Sequence, residues 1–365
     1  MWTFELCQLD GKRIGEVLNA KDRTVTLALN RASTASFSVR ADNDLLVPLM
    51  AEDTKLRVYQ DKELRYYGYV ITSELAQDDG QLMPTVKITS ADAAWKLSRR
   101  LTGKSSGGTA HSGDKAKTAR KIINEVNGEG DSGVKLAAEG EYSASGSGNY
   151  KAGPYKTALS CVNDLAHGFD GFDWRMEPYL AEPETKTGLF VAKPTIGVET
   201  KASFERGWGK KNVRSMNYVR DLSNLTNRAF HLPDDGVETE GSIVKVKNDA
   251  TSESYRGRFE AIADAYGLSD STLREKWLEE VIRIKKNPRY VVAMTLDRAD
   301  NEGRVPIYGT DFNLGDTATA RAVFGNVTLF NGKVRIYQVR FDISESGAAT
   351  TVPVLIDEGG EEFGA

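Results

Sequence analysis

The region 22–71 constrains the fold most, because apolar side chains alternate there with polar or small ones over several short runs. Alternation of period two over such short segments is typical of β-strands that bury one face and leave the other to water or to a partner. The region therefore predicts the body of an antiparallel sheet or small barrel. Its alternating apolar residues are Val25, Leu27, Leu29, Ala35, Phe37, Val39, Leu56, Val58, Leu64 and Tyr66.

Three dipeptides predict hairpin turns between such strands. Two contain glycine after Asp or Asn, which is the strongest short signal for a two-residue turn. The third has lysine in the glycine position, which leaves its turn type open. The clearest of the three connects the predicted strands 326–330 and 333–343. The dipeptides are Asp10-Gly11, Asp61-Lys62 and Asn331-Gly332.

Bulk composition indicates an ordinary soluble protein with room for two or three domains. The chain has 365 residues, 40% of them hydrophobic and 27% charged, with a net charge of −4. An acidic balance argues against gripping nucleic acid as the main task. We expect no membrane span, because no run approaches the roughly 18–20 apolar residues required, and the first residues do not read as a secretory signal. Cys7 and Cys161 predict two reduced thiols, at least one of them packed in a core.

Helical periodicity appears in four places outside the alternating region. The run 91–101 places apolar residues on one face, with Ser90 as its expected N-cap. The other three predicted helices are 114–127, 155–167 and 270–286, and the last is strongly amphipathic. Between the second and third lies 128–153, rich in Gly, Ser and acidic residues, which we predict to be a long mobile loop.

Three motifs follow one another in the first part of the chain. Together they resemble the first barrel of phage tail-tip hub proteins, with Lys62 where that family usually has glycine. Each motif is degenerate by itself, so the resemblance depends on their order. The matching residues are Ser36, Phe37 and Val39, then Asp42, Asp44, Leu45 and Leu49, then Leu56, Val58, Tyr59, Asp61, Tyr66, Gly68 and Val70.

Further motifs extend the resemblance to most of the chain. One set is similar to the inserted α+β domain of tail hubs, a second to the strand that re-enters the first barrel, and the others to segments of the second barrel. These are Ala158, Leu165, Ala166, Gly171, Phe172, Asp173, Trp174 and Pro178; Asp221, Leu222, Leu225, Thr226, Asn227 and Arg228; Ser252, Tyr255 and Gly257; and Leu314, Gly315 and Asp316.

The resemblance implies a mainly β fold with an α+β insertion. Two similar antiparallel β-barrel domains would bracket the inserted domain. The first, discontinuous barrel would comprise 1–101 with 212–232, and the insertion 102–211. The second barrel would comprise 233–365 and contain the amphipathic helix 270–286.

Residues that could carry chemistry are sparse. His167 with Asp164, Asp170 and Asp173 is the densest His–carboxylate cluster, and a metal or general-base site there is a minor possibility. Asp170 and Asp173 are more simply explained as turn residues. The run starting at Gly103 lacks the earlier glycine of a phosphate-binding loop. We therefore predict no enzyme, and no catalytic, cofactor-binding or metal-binding residue.

Two basic runs and one aromatic group remain as candidate contact surfaces. The runs could meet DNA or an acidic partner, although a solvated face is the simpler interpretation. The aromatic group could line an exposed sugar-binding groove, although ordinary strand packing explains it as well. The runs are Arg206, Trp208, Lys210, Lys211 and Arg214, and Lys285, Lys286, Arg289 and Tyr290; the aromatic group is Tyr66, Tyr67 and Tyr69.

As a function, the resemblance implies a structural virion protein at the distal end of a phage tail, the tail-tip or baseplate hub. Three copies would form a ring joining the tail tube to the tip, assembled in the host cytoplasm. Expected partners are the distal tail protein, the tail-tip and receptor-binding proteins, and the tape-measure protein. DNA would pass through the lumen without specific binding, and no cofactor is expected.

Two alternatives stay open from sequence. A tail-associated cell-wall hydrolase needs two carboxylates about 5–10 Å apart, of which at least one has a raised pKa, and such pairs leave no local motif. A receptor- or carbohydrate-binding module would instead be a monomer with an exposed aromatic groove.

Overall fold

The structure is a computed structural model of the chain. It describes residues 1–357 apart from eleven internal segments. Those segments are 51–52, 78–82, 103–108, 139–146, 153–155, 168–170, 181–185, 208–211, 232–244, 264–270 and 297–304.

The described residues form 23 strands and six helices, with 52% of these residues in strands and 19% in helices. The expectation of a mainly β fold with an α+β insertion is therefore confirmed. The strands β1–β12 are Trp2–Cys7, Arg13–Glu16, Lys21–Ala28, Thr34–Arg40, Lys55–Gln60, Glu63–Ala76, Thr85–Ala91, Leu101–Thr102, Thr109–Asp114, Val134–Leu136, Ser147–Ala152 and Lys156–Thr157.

The remaining strands, β13–β23, are Asp173–Pro178, Gly188–Lys193, Glu199–Arg206, Val213–Asp221, Arg228–His231, Lys245–Asn248, Glu260–Ile262, Arg289–Leu296, Thr317–Phe324, Val327–Ile343 and Ala349–Asp357. The helices α1–α6 are Leu46–Met50, Ala93–Leu97, Lys115–Gly128, Ala158–His167, Ala250–Arg256 and Ser271–Lys285.

One sheet of 13 strands organises the molecule. Its main path runs β16-β20-β23-β22-β3-β4-β7-β6-β5-β1-β2, with β21 on β22 and β15 on β21. All these pairs are antiparallel except β15 with β21. The long strand β22 connects the early and late parts of the chain, because it pairs with both β3 and β23. Strands of both predicted barrels thus belong to one sheet.

The core of this sheet is also shared between the two parts of the chain. Trp2 lies 5.0 Å from Phe341, measured between ring centroids, and Phe4 lies 5.6 Å from Phe37. These side chains belong to a single buried apolar cluster that also includes Phe204. Burial of aromatic side chains on this scale is the main source of stability for such a sheet.

A second core belongs to the predicted insertion. Helices α3 and α4 bury one apolar stripe each and pack with the small sheet β10-β14-β13. Trp174 and Phe190 are fully buried there, with ring centroids 5.9 Å apart. Cys161 lies in this core and Cys7 in a strand of the large sheet, and both are free and buried, as predicted.

A third, smaller unit packs α6 on the three-stranded sheet β18-β17-β19. Leu278, Val281 and Ile282 of α6 are buried against Ala229 of the central strand. The predicted amphipathic helix 270–286 is therefore confirmed, as is the inward direction of these three side chains.

Two of the predicted turns are confirmed. Strands β1 and β2 pair across Asp10-Gly11, and β5 and β6 pair across Asp61-Lys62. Asp61 and Lys62 have φ values of 50° and 72°. Positive φ at both central positions is the geometry of a type I′ turn, whose twist matches that of the strands. Lysine therefore occupies a position that favours glycine.

The predicted turn at Asn331-Gly332 is wrong. Both residues lie inside β22, where Gly332 pairs with Ala320. The strand instead turns at Gly325, which has a φ of 58° and precedes Asn326. Gly-Asn is also a turn signal. Because residues 317–324 pair with 327–335, the chain turns at Gly325-Asn326 and not at Asn331-Gly332.

All four predicted helices are present, although their limits are less accurate, and the structure adds two short helices that were not predicted, α1 and α5. The helix at 114–127 is confirmed, with Asp114 as its N-cap. The helix expected over 91–101 is only Ala93–Leu97, and Asp92 rather than Ser90 caps it. The helix starts later than predicted because strand β7 continues to the residue before this cap. The predicted helices also lose residues near 101 and 155, because β8 and β12 pair there as strands.

The prediction of a loop over 128–153 is wrong for 134–136 and 147–152, which are strands; the segment 139–146 lies outside the described residues. Strand β10 pairs in parallel with β14, and β11 pairs with β9. These segments have little apolar periodicity of their own, so the sequence did not predict strands there. They form strands because they pair with β14 and β9. The barrel boundaries predicted from sequence, including the return of 212–232 to the first barrel, stay predictions; in the structure β16 pairs with β20.

Candidate assembly surfaces

The insertion is joined to the large sheet by a buried ion pair, which we call the insertion junction. The Arg335 guanidinium on β22 donates to the Asp173 carboxylate on β13. It also donates to the carbonyls of Ile196 at 2.8 Å and Gly315 at 3.1 Å. Asp173 accepts from the Ile196 backbone at 2.8 Å and from Asn30 at 3.2 Å. The hydrogen-bonding capacity of both charged groups is thus largely used within the chain.

Electrostatics and close packing hold this junction together. Burial by itself lowers the pKa of Arg335, but the hydrogen bond and charge of Asp173 outweigh it and raise that pKa. Gly197 and Gly315 bring their loops together beside the pair, with φ values of 101° and 93°. A Cβ on either glycine would lie within 2.4 Å of the other loop's backbone, so any side chain would separate the loops.

A second buried carboxylate, Asp92, also serves the fold. It caps α2 through the Ala94 backbone at 2.9 Å and accepts from the Ser33 backbone at 2.8 Å. Burial raises its pKa to about 7, although these hydrogen bonds act in the opposite direction. A raised pKa is one requirement of a glycosidase acid, but this carboxylate is enclosed and used by backbone donors.

Lys55 forms a buried cationic cluster beneath the insertion. Its side chain is 1% exposed, and its ammonium lies 5.7 Å and 5.8 Å from the ring centroids of Tyr67 and Tyr69. The Lys96 ammonium lies 4.3 Å from the Tyr69 ring. Burial, together with the Lys96 charge, lowers the pKa of Lys55 to about 8, whereas Asp131 opposes that shift.

Of the two interpretations of Tyr66, Tyr67 and Tyr69, the exposed groove is contradicted and ordinary strand packing is confirmed. All three side chains are at most 3% exposed. Tyr66 packs in the main core and Tyr69 in the core of the insertion, because the two units cover opposite faces of β6. Burial raises the pKa of Tyr67 and of Tyr69 to about 12.

The predicted His–carboxylate cluster is not assembled by the described residues. Asp173 lies in a strand and pairs with Arg335, so its assignment as a turn residue is wrong. Asp164 accepts from the Tyr150 hydroxyl at 2.9 Å and the Lys156 ammonium at 2.6 Å. Asp170 lies outside the described residues. Over the ranges that the structure describes, no three His, Cys, Asp or Glu side chains converge as metal ligands would.

A groove of about 380 Å³ lies between the end of β15 and the tip of the β21–β22 hairpin. Its lining includes Arg206, Arg321 and Glu205, together with backbone of both elements. Glu205 is the only carboxylate among these lining residues. The groove therefore does not provide the pair of acids that the hydrolase alternative requires.

Strand β16 leaves one edge of the large sheet open. It pairs with β20 on one side, and β15 reaches only its start, where Arg206 donates to the Val213 carbonyl at 3.1 Å. Between residues 215 and 221, no other strand of the described chain pairs with it. We call this segment the open edge. Unpaired strand edges are templates for pairing with another chain.

Apolar side chains are less completely buried at the open edge than on the neighbouring strand β20. Met294 and Val292 on β20 are fully buried, whereas their cross-strand partners Met216 and Tyr218 are only half-buried. Tyr218 stacks on Tyr290 with ring centroids 5.7 Å apart. The core face of β16 is thus apolar but incompletely covered.

The predicted basic runs divide between structural and exposed residues. Arg206 binds backbone carbonyls, and Lys286 pairs with Asp249 at 2.9 Å. Arg214 is exposed on β16 at the start of the open edge, and Arg220, which belongs to neither predicted run, is exposed near its other end. Trp208, Lys210 and Lys211 lie outside the described residues.

A second apolar surface lies on the three-stranded sheet. Phe230 pairs across the strands with Val246 and Ile262, so the three side chains form one row. Val246 is 45% exposed and Ile262 65%. Successive side chains of a strand point to opposite faces of its sheet. Helix α6 covers the face that carries Ala229, so the row that contains its neighbour Phe230 lies on the other face.

No protein-family model matches the sequence, and no curated protein matches it. Solved structures do match. The 43 kDa tail protein of prophage MuSo2 from Shewanella oneidensis superposes with a TM-score of 0.63 over 98% of this chain and 100% of that one, at 14% identity. A tail protein from Neisseria meningitidis MC58 gives 0.55 over 98% and 97%, at 13% identity.

The prophage tail protein gp18 from Listeria monocytogenes EGD-e gives a TM-score of 0.54 over 98% of this chain and 95% of that one, at 10% identity. None of the described helices has the length and apolar character needed to cross a membrane. The agreement with these three structures extends over nearly the whole of each chain. This chain therefore has the fold of these three tail proteins.

Proposed function

We propose that this chain is a structural component of a phage tail that acts as the hub of its tip or baseplate. The observation that carries the proposal is the shared fold with solved tail proteins over the whole length of the chain. Because full coverage includes the insertion and the late strands, the likeness extends beyond a single common barrel. Such a role is mechanical and needs no catalytic group.

In this proposal three copies form a ring at the distal end of the tail, and each copy contributes two barrels around a lumen. The ring contacts the distal tail protein, the receptor-binding proteins of the tip and the tape-measure protein, and DNA passes through it. The open edge supports the proposal because a sheet that ends in unpaired backbone suits cyclic assembly, in which a neighbour covers it. The net charge of −4 suits a lumen that does not trap phosphates.

Light scattering and negative-stain imaging of purified protein at two concentrations test the ring. We expect a mass of three times 40.1 kDa and particles with a central hole. A monomer at both concentrations would contradict self-assembly of the ring. Gold-labelled antibodies against the chain, applied to virus particles, then test the tail role separately: label at the distal tail end supports it, and label elsewhere or none contradicts it.

A further inference from the structure

Asp92 lies where the chain passes from the large sheet into the insertion. Strand β7 of the large sheet ends at Ala91, and α2 begins at Ala93. The α2 residues Ala93, Ala94 and Leu97 belong to the core of the insertion. A movement of α2 relative to β7 must therefore bend the backbone at or beside Asp92, as at the hinges of other proteins.

The Asp92 carboxylate accepts one backbone hydrogen bond from each side of this connection. Ala94 of α2 donates to one oxygen at 2.9 Å, and Ser33, between β3 and β4 of the large sheet, donates to the other at 2.8 Å. The Asp92 backbone N–H also donates to the Ser33 carbonyl at 3.0 Å. These three bonds make Asp92 the link between α2 and the segment that carries Ser33.

A small void beside Asp92 lies between the two units. Its volume is about 10 Å³, and its lining includes Leu27 and Tyr66 of the large sheet and Met176 and Gly188 of the insertion. A void of this size has room for about one water molecule, and Asp92 itself is only 3% exposed. Bulk water therefore does not hydrate this carboxylate while the two units are in contact.

The two charged side chains that line the void have ion-pair partners elsewhere. Arg65 pairs with Glu63 at 2.8 Å, and Glu177 accepts from the Arg175 guanidinium at 2.9 Å. Both charges are thus already matched within their own strands. The ionised form of Asp92 relies on backbone N–H groups and on the side chain of Ser33, which is a further hydrogen-bond partner of the carboxyl group.

The titratable tyrosines around the void are neutral near pH 7. Tyr66 and Tyr67 line it, and burial raises the pKa of both above the ordinary value of 10. The Ser33 hydroxyl can both donate and accept a hydrogen bond, so it serves the ionised and the protonated form of Asp92 alike. Asp92 is therefore the group around this void that changes its charge near neutral pH.

The closed contact favours the neutral acid over the ion. Burial raises the pKa of Asp92 from 3.8 to about 7, and the hydrogen bonds from Ser33 and Ala94 oppose this rise only in part. When α2 separates from the sheet, water reaches the carboxyl group and its ordinary pKa returns. The contact is therefore most stable below pH 3.8 and loses stability as the pH rises to about 7.

We propose that Asp92 is a proton-controlled latch between the insertion and the large sheet. The protonated acid keeps α2 on the segment that carries Ser33, and loss of the proton weakens this contact. A rise in pH through neutrality loosens α2, and a fall in pH tightens it. The inference goes beyond the proposed function and does not depend on it, because every contact of the latch lies within one chain.

Hydrogen exchange of backbone amides at pH 5.0 and pH 7.5 tests the latch. Each rate is expressed as a protection factor, which removes the intrinsic effect of pH on exchange. From a pKa of about 7 in the closed contact and 3.8 in the open one, the protection of α2 should be about fiftyfold lower at pH 7.5. Equal protection at the two pH values, or higher protection at pH 7.5, would overturn the proposal.

Two matched variants assign the effect to Asp92. Asp92→Asn cannot ionise, so its α2 protection should differ by less than about twofold between the two pH values. Asp114→Asn is the control, because Asp114 also caps a helix of the insertion, through the Lys117 backbone at 2.9 Å, but in an exposed position. It should keep the full pH dependence. The histidines are the same in all three proteins, so a dependence that survives in Asp92→Asn contradicts the latch.

Amides of β22 show whether the effect is local. This strand lies in the large sheet away from α2, so its protection should change by less than about threefold between the two pH values. An equal loss of protection in α2 and β22 would mean that the proton acts on unfolding of the whole chain, and would overturn the latch. If Asp92→Asn does not fold, the parent protein still decides through this comparison. A monomer, or absence of gold label on tails, would contradict the proposed function and leave the exchange result unchanged.

Discussion

The insertion junction and the open edge differ in how their polar groups find hydrogen-bond partners. At the junction, Arg335 and Asp173 are both about 90% buried, and their partners all come from the same chain. At the open edge, backbone groups and Arg220 face outward with no partner strand of the described chain beside them. A buried charge needs its ion-pair and hydrogen-bond partners as soon as the chain folds. Exposed backbone groups at a sheet edge can bond to water until another chain pairs with them.

The largest effect should come from breaking the insertion junction. Arg335→Met leaves the Asp173 carboxylate buried without its charge partner, and should cost about 3–5 kcal/mol of unfolding free energy. Urea unfolding checks this value. Arg340→Met breaks the exposed pair with Asp342 on the same strand and should cost below about 1 kcal/mol. Equal costs for the two variants would remove the distinction between a closed and an open region.

A matched pair of methionines sharpens the comparison at the edge itself. Met216 and Met294 face each other on neighbouring strands, the first half-buried and the second fully buried. Met294→Ala should cost about 2–5 kcal/mol through lost burial and a cavity. Met216→Ala should cost about 1 kcal/mol, because much of its surface is already in water.

Lys55 should make stability depend on pH beneath the insertion. Its folded pKa of about 8 lies below the value of 10.5 for an exposed lysine. Between those values the unfolded chain holds a proton that the folded chain releases, so the unfolding free energy rises with pH by about 3 kcal/mol in total. The urea midpoint of the parent should therefore be higher at pH 9.5 than at pH 7.5. In Lys55→Met the midpoints at the two pH values should be nearly equal. A parent that loses stability over this range relative to the variant would contradict the assignment.

The smallest effect should be the stability change in R220E. Arg220 is exposed and lies at the end of the edge strand, so its replacement should change the unfolding free energy by less than about 0.5 kcal/mol. Thermal unfolding of this variant and of Lys87→Glu should agree within that range. A large loss would show that the edge is already completed inside the chain, and the contrast with the junction would disappear.

Much of the architecture was readable in the sequence because it depends on local periodicity. The alternating segments of 22–71 form β3, β4, β5 and β6, with the short helix α1 between β4 and β5. The predicted helices 114–127 and 270–286 appear almost at their expected limits. These segments carry their apolar pattern in consecutive residues, so neighbouring residues suffice to predict them.

Other features depended on partners far away in the chain. Asn331-Gly332 has the composition of a turn but lies in a strand, because its pairing with the preceding strand β21, across the turn at Gly325, takes precedence over local preference. Asp173 was expected at a turn, and its true role required Arg335, which is 162 residues away. No local signal pairs those two residues.

The sequence by itself predicted that the chain is mainly β with an α+β insertion and that its cysteines are isolated, and the order of its motifs resembles that of tail hubs. The tertiary structure decided which sheet edge stays open, which charges are buried together, and that the tyrosines of β6 are enclosed between two units. Periodicity is a property of neighbours along the chain, whereas burial and edge exposure depend on which distant segments meet.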